Sequence, residues 1–193
     1  FNKLHAVNPI LPTSNFSFQC PIHKKQVYWE QKDVFNPTAA VMGNAVYMLY
    51  RAEDTVGRYN GTSRLGLAIS ADGVRFSKIE NPILVPDEDF MKIYEWEGGI
   101  EDPRVVQGES GTFVLTYTAY DGNLARLCVA TSSDFLNWNK EGLAFGKQYE
   151  NLWSKSGAIV AELVGNKMVA KKIKGKYWMY FGDTDLFAAT SDN

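Results

Sequence analysis

The feature that most restricts the fold is an internal repeat of about 60 residues. In the first copy, residues 34–41 run into Gly43-Asn44, a hairpin signal, and then into Ala45-Val46-Tyr47-Met48-Leu49-Tyr50-Arg51. The second copy has residues 104–106, a turn at 108–111, and Thr112-Phe113-Val114-Leu115-Thr116-Tyr117-Thr118. The third has residues 168–173, the turn Lys174-Gly175-Lys176, and Tyr177-Trp178-Met179-Tyr180-Phe181. Each copy continues into another apolar run that ends in a serine–aspartate signature: Ser70-Ala71-Asp72-Gly73, Ser132-Ser133-Asp134 and Ser191-Asp192. Phe76 and Trp138 follow the first two signatures at similar distances. Tyr50, Tyr117 and Tyr180 are spaced 67 and 63 residues apart, and Ser70, Ser132 and Ser191 are spaced 62 and 59 apart.

Most apolar stretches are short, alternating or β-branched, and are bounded by Gly, Asn, Asp or Pro, which is the pattern of strands. About four strands per repeat predict an all-β chain folded as a β-propeller. A sandwich or a solenoid explains the repeated serine–aspartate turn less well. Closed propellers have at least about four blades, whereas this chain carries roughly three and stops inside the third signature. An open ring exposes a sheet edge. The expectation is therefore one incomplete propeller domain over 1–193, part of a longer protein, with completion by a second chain as the alternative. Residues 1–33 read as an N-terminal extended segment.

Composition removes several classes of function. A net charge of −2 gives no electrostatic case for nucleic acid or an anionic membrane as partner. No apolar run approaches the roughly 20 residues of a membrane helix. His5 and His23 are the only histidines, and neither stands in metal-ligand spacing. Neither a phosphate-cradling glycine loop nor a nucleophile elbow is present. Cys20 and Cys128 are too few for a disulfide framework, and Cys128 sits in an apolar run as a core thiol. No metal and no cofactor are expected. The first residue is Phe1 rather than Met, which a cleaved secretion signal and a trimmed chain both explain. A periplasmic or extracellular location is slightly favoured over the cytoplasm. A homo-oligomer stays open.

Residues 96–104, Trp-Glu-Gly-Gly-Ile-Glu-Asp-Pro-Arg, set three carboxylates and a guanidinium around two glycines and a proline. Pro103 keeps Asp102 out of the helical region, and the glycines permit close approach. A stiffly held carboxylate of this kind suits acid–base chemistry; a solvated acidic turn closed by an Asp–Arg pair is the plainer explanation. The rest of the chain adds weight to the former. Asn36-Pro37 and Asp102-Pro103 occupy corresponding places in two repeats. Further polar residues flank the strands at matched positions: Arg51 to Asp54, Ser63-Arg64, Tyr120-Asp121, Arg126, Lys155-Ser156-Gly157 and Gly182-Asp183. Singly these are strand-end charges facing water; as a set they converge on one funnel.

At this point the ordered motifs resemble glycoside hydrolase family 130, the five-bladed propeller mannoside phosphorylases and mannosidases. The resemblance rests on Val34-Phe35-Asn36-Pro37, Tyr50-Arg51-Ala52-Glu53-Asp54, Ser63-Arg64-Leu65-Gly66, Gly98-Gly99-Ile100-Glu101-Asp102-Pro103-Arg104, Tyr117-Thr118-Ala119-Tyr120 and Lys174-Gly175-Lys176-Tyr177-Trp178. It covers nearly the whole chain and implies that roughly the first three blades are present. It implies inverting attack at the anomeric carbon of a β-mannoside, with Asp102 as proton donor. It places Asn36, Arg51 and Arg104 in the −1 subsite with Arg64 close by, and Glu101, Tyr120 and Lys155 as further substrate contacts.

The nucleophile divides the family. A phosphorylase clusters cations around inorganic phosphate as co-substrate, and a hydrolase uses a carboxylate to activate water. Lys155-Ser156-Gly157 and Tyr180-Phe181-Gly182-Asp183 resemble the hydrolase branch, with Asp183 as candidate base. The leading expectation is an inverting β-mannosidase acting on β-1,2-linked mannose in an oligosaccharide. The alternatives are a phosphorylase releasing mannose 1-phosphate and a non-catalytic carbohydrate-binding propeller.

Overall fold

The computed structural model describes residues 1–193, and strands carry nearly all of its regular structure. The chain opens with a small hairpin, β1 (Ser17–Cys20) and β2 (Lys25–Tyr28). Unit one follows as β3 (Asp33–Met42), β4 (Ala45–Glu53), β5 (Ser63–Ser70) and β6 (Ser77–Lys78), paired antiparallel in that order. A single helical turn, α1 (Lys92–Glu95), leads into unit two. That unit is β7 (Gly99–Gln107), β8 (Phe113–Tyr120), β9 (Ala125–Ser132) and β10 (Asn139–Leu143), again an antiparallel meander. The two repeats thus fold as two copies of one four-stranded motif in an all-β, propeller-like body.

Unit three departs from the expected strand at 168–173. Its first strand is interrupted into β11 (Ala158–Ile159) and β14 (Lys172–Ile173), which pair in line with β15 (Lys176–Gly182). Between them a hairpin of β12 (Ala161–Val164) and β13 (Lys167–Ala170) loops out, turning at Gly165 with φ +63°. The bond from Lys171 N–H to Val160 C=O, 3.0 Å, closes its neck. Met168-Val169-Ala170 therefore pairs within the excursion, and Val169 bridges to Gln107 of β7. β16 (Leu186–Ser191) completes the unit against β15.

The serine–aspartate signature is a turn closed by its own side chains. Ser70 Oγ accepts from Asp72 and Gly73 N–H at 3.2 and 2.9 Å, and Asp72 Oδ1 accepts from Val74 and Arg75 N–H at 2.9 and 2.8 Å. Ser132 and Asp134 repeat the set with Phe135, Leu136 and Asn137. Such turns offer the backbone local partners where a ladder ends. The main core lies between units one and two, where Leu49, Leu65 and Leu67 meet Ile100, Leu115, Tyr117 and Phe135. A second cluster ties part of the N-terminal segment to unit one: Phe18, Cys20, Val27 and Trp29, on and just after the β1–β2 hairpin, bury against Tyr50, Ala52 and Ala68. Cys128 is buried and unpaired as expected, its thiol pushed up to about 12 by burial.

Units one and two meet along β7, the first strand of unit two. Val105 N–H bonds Thr38 Oγ1 at 3.3 Å, and Ser63 bridges in parallel to Gly99. On the other side, Thr116 of β8 donates to Gly157 C=O of unit three at 2.7 Å.

Candidate active site

β3 and β7 carry the same irregularity at the same place. In each, the pairing register shifts across the Asn36-Pro37 or Asp102-Pro103 step. Asn36 and Asp102 both adopt left-handed backbone, with φ 47° and 49°. Asn and Asp tolerate that region better than other residues with side chains, and a proline that follows cannot give a ladder N–H. A bulge re-aims a side chain, and here the two bulges aim Asn36 and Asp102 at each other. Asn36 Nδ2 donates to Asp102 Oδ1 at 2.6 Å. Ser156, just before β11, also has positive φ (57°).

Arg51 is the hub of the cluster. Its guanidinium donates to Asp102 Oδ1 at 3.2 Å, to Glu101 Oε1 at 2.9 Å, to Glu53 Oε1 at 2.6 Å and to Ser63 Oγ at 2.9 Å. It also lies over the Phe35 ring, 4.7 Å from the centroid. Glu53 in turn accepts from Ser63 Oγ at 3.1 Å and from Lys32 Nζ at 2.7 Å. A planar cation held by carboxylates from β4 and β7 is fixed in direction as well as place.

The charges settle into distinct states. Burial pushes the Asp102 carboxyl up, but the Asn36 hydrogen bond, the Arg51 charge and hydrogen bond, and Lys155 together hold it below the usual carboxylate value. Burial prevails at Glu101, with the Asp102 and Glu53 charges adding to it against Arg51 and Lys155, and raises it to about 6. Two adjacent carboxylates thus titrate apart. Burial also raises Glu53, but bonds and charges from Lys32 and Arg51 outweigh it and leave the group low.

Other residues singled out from the sequence fall in different places. Lys155 is half-buried and faces Glu101 and Asp102 electrostatically. Arg104 is exposed and donates only to Pro103 C=O, at 2.8 Å. Tyr120 donates to Gly122 C=O at 2.9 Å and its ring covers Gly98, where a Cβ would lie 2.3 Å from Cδ1. Arg64 is not brought to the cluster. Its side chain is 1 % exposed and bonds Asp54 Oδ2 at 2.7 Å and Thr62 C=O at 3.1 Å. Strand parity is the reason, because Arg64 and Ser63 are neighbours on β5 and project to opposite faces. Arg126 is likewise paired, with Asp121 at 2.7 Å. Asp183 is exposed, accepts from Trp153 Nε1 at 3.3 Å, and makes no hydrogen bond or ion pair with Asp102. Its neighbour Gly182 N–H bonds Lys155 C=O at 2.9 Å.

Lys32 carried no signal in the sequence, and Phe35 entered only as a member of the Val34-Phe35-Asn36-Pro37 motif. The largest cleft, about 640 Å³, runs between units two and three past Val114, Phe145 and Trp178, and Asp102 does not line it. The chemistry therefore collects where β3 and β7 meet, and not in the largest hollow.

Residues 3–193 match the profile of glycoside hydrolase family 130, described as beta-1,4-mannooligosaccharide phosphorylase. A 1,2-beta-oligomannan phosphorylase from Thermoanaerobacter sp. (strain X514) is 30 % identical over 180 residues, covering 88 % of this chain and 53 % of that protein. A glycosyl hydrolase structure from Bacteroides ovatus superposes with TM-score 0.95 at 43 % identity, covering all of this chain and 56 % of that one. Another structure, from work on family members that are glycoside hydrolases targeting β-1,2 mannosidic linkages in Candida mannan, gives TM-score 0.93 at 43 % identity. It covers 97 % of this chain and 54 % of that chain. The chain spans about half the length of these relatives.

Proposed function

The chain belongs to glycoside hydrolase family 130, and from that premise we propose that it serves an inverting β-mannosidase acting on β-1,2-linked mannose. In this reading the three units are the first three blades of a five-bladed propeller, and Asp102 is the proton donor. The observation that carries it is the paired bulge, which turns Asn36 and Asp102 together beside Arg51.

A proton donor must carry its proton when the sugar is bound, yet the free site holds Asp102 low. Sugar hydroxyls supply the resolution. A mannose that takes the donors of Asn36 and Arg51 removes what keeps Asp102 ionised, while its ring excludes water and deepens burial. Both changes raise the carboxyl toward the working pH. Glu101 keeps Arg51 anchored as Asp102 changes state. An inverting site leaves room for the attacking group between acid and base, so Asp183 needs no contact with Asp102 to act as base.

A phosphorylase is the second reading, favoured by the description of the curated relative and by Lys155 facing the carboxylates. Incubation with β-1,2-mannobiose decides between the two. Mannose released in phosphate-free buffer, and lost by at least about 10³-fold in Asp102→Asn, supports the hydrolase. Mannose 1-phosphate formed only on adding phosphate establishes the phosphorylase. Binding without turnover, unchanged in Asp102→Ala, would leave a carbohydrate-binding propeller.

A further inference from the structure

A buried Glu–Tyr–Lys triad outside the Asp102 cluster stands at the head of each of the first two units. In unit two, Glu95 Oε1 accepts from Tyr117 OH at 2.9 Å and Oε2 from Lys140 Nζ at 2.5 Å. In unit one, Glu30 Oε2 accepts from Tyr50 OH at 3.0 Å and Oε1 from Lys78 Nζ at 2.9 Å. Both glutamates are fully buried. The tyrosines are the repeat anchors of β4 and β8, and each lysine lies eight residues after its signature serine, in β6 or β10. Each triad therefore ties the second and fourth strands of a sheet to the residue just ahead of its first strand.

That residue is the entry to the site. Asn36 follows Glu30 by six positions and Asp102 follows Glu95 by seven. Between Glu95 and Asp102 stand Gly98 and Gly99, seated against Ser63: its N–H bonds Gly98 C=O at 2.9 Å, and a Cβ on Gly99 would lie 2.2 Å from its C=O. That seat has no slack for a shifted backbone, so where Glu95 is held bears directly on how Gly98 and Gly99 enter it. Buried ion pairs add little net stability compared with apolar packing of the same shape, but a buried carboxylate that loses a partner is costly, so each glutamate stays where its tyrosine and lysine both reach it.

We propose that Glu95 and Glu30 are positioning residues, clamping the entries of β7 and β3 so that Asp102 and Asn36 reach the site in register. This rests on the mannoside-cleaving reading for its kinetic readout and on the backbone alone for its second.

The decisive variant replaces a whole triad with apolar residues of similar shape: Glu95→Leu, Tyr117→Phe and Lys140→Met together, in the full chain. The expected result is melting within a few degrees of the parent, kcat on β-1,2-mannobiose lowered tenfold or more, and KM within twofold. Tyr117→Phe alone, which keeps the Glu–Lys pair, should recover most of kcat. Parent-like kcat in a folded triple variant overturns the proposal. Should the triple variant fail to fold, Glu95→Gln takes its place. Amide hydrogen exchange is measured in parallel, where the proposal expects about tenfold faster exchange over residues 99–104 with β9 unchanged. If the parent turns over no mannoside, the functional reading fails separately and exchange alone decides; unaltered protection of 99–104 in a folded Glu95 variant overturns the clamp.

Discussion

Arg64→Met tests most directly where the structure departs from the expected site. The guanidinium sits in the protein interior, bonded to Asp54 Oδ2 and Thr62 C=O, over the Phe18 ring at 5.1 Å. Methionine fills much of the space but leaves the Asp54 carboxylate without its counter-charge. Breaking a buried pair by removing one partner costs about 3–5 kcal/mol. Asp54 Oδ1 keeps three backbone donors, Val56, Gly57 and Thr62 N–H, at 3.1, 2.9 and 3.0 Å. These soften the loss toward its lower end, about 3 kcal/mol. At about 2–4 °C per kcal/mol for a chain of this size, melting should fall by about 6–12 °C. Turnover at 25 °C should stay within about twofold, since the guanidinium touches no atom of the Asp102 cluster. Calorimetry with steady-state kinetics on β-1,2-mannobiose reads both. An unchanged melting temperature with KM raised tenfold would refute the reasoning and return Arg64 to the sugar.

Gly99→Ala should be among the most damaging single changes: its Cβ would stand 2.2–2.8 Å from the Ser63 backbone, which cannot yield as a flexible side chain could, at φ +114°, and soluble yield or melting should collapse. The pH dependence of stability should carry two opposed slopes. Burial raises Glu95 to about 7 from 4.5 despite Lys140, with Asp89, Tyr117 and Cys128 also facing it. The folded state then holds the extra proton, so this contribution is complete below about 4.5 and fades as pH rises through 7. Asp72, lowered to about 2 from 3.8 by the backbone N–H groups of Arg75 and Val74, acts oppositely: its contribution is complete above 3.8 and is lost as pH falls toward 2. Melting scans from pH 2 to 8 should therefore rise and then decline, and Glu95→Gln should flatten the decline; identical slopes in parent and variant would contradict it.

Much of this architecture is written in short-range pattern. The serine–aspartate turns satisfy their own backbone within three residues, and the Asn-Pro and Asp-Pro bulges follow from local chemistry. These features are legible wherever they occur, and their spacing exposes the repeat. Asn36, Arg51 and Glu101, which gather around Asp102, were also legible, because polar strand-end residues of successive units meet at one place.

What chain order could not settle is which partner each side chain finds across a sheet. Arg51 and Arg64 look alike in the sequence, each at a strand end beside acidic or hydroxyl residues. One becomes the hub of the site and the other a buried structural cation, because strand parity and the packing of the neighbouring hairpin send them to different faces. The same limit hid the clamps. Glu95 meets Tyr117 across 22 residues and Lys140 across 45, and only closure of the sheet brings such groups within reach. Local hydrogen bonding determined the repeat and its turns; tertiary packing decided which charges serve the site and which hold it in place.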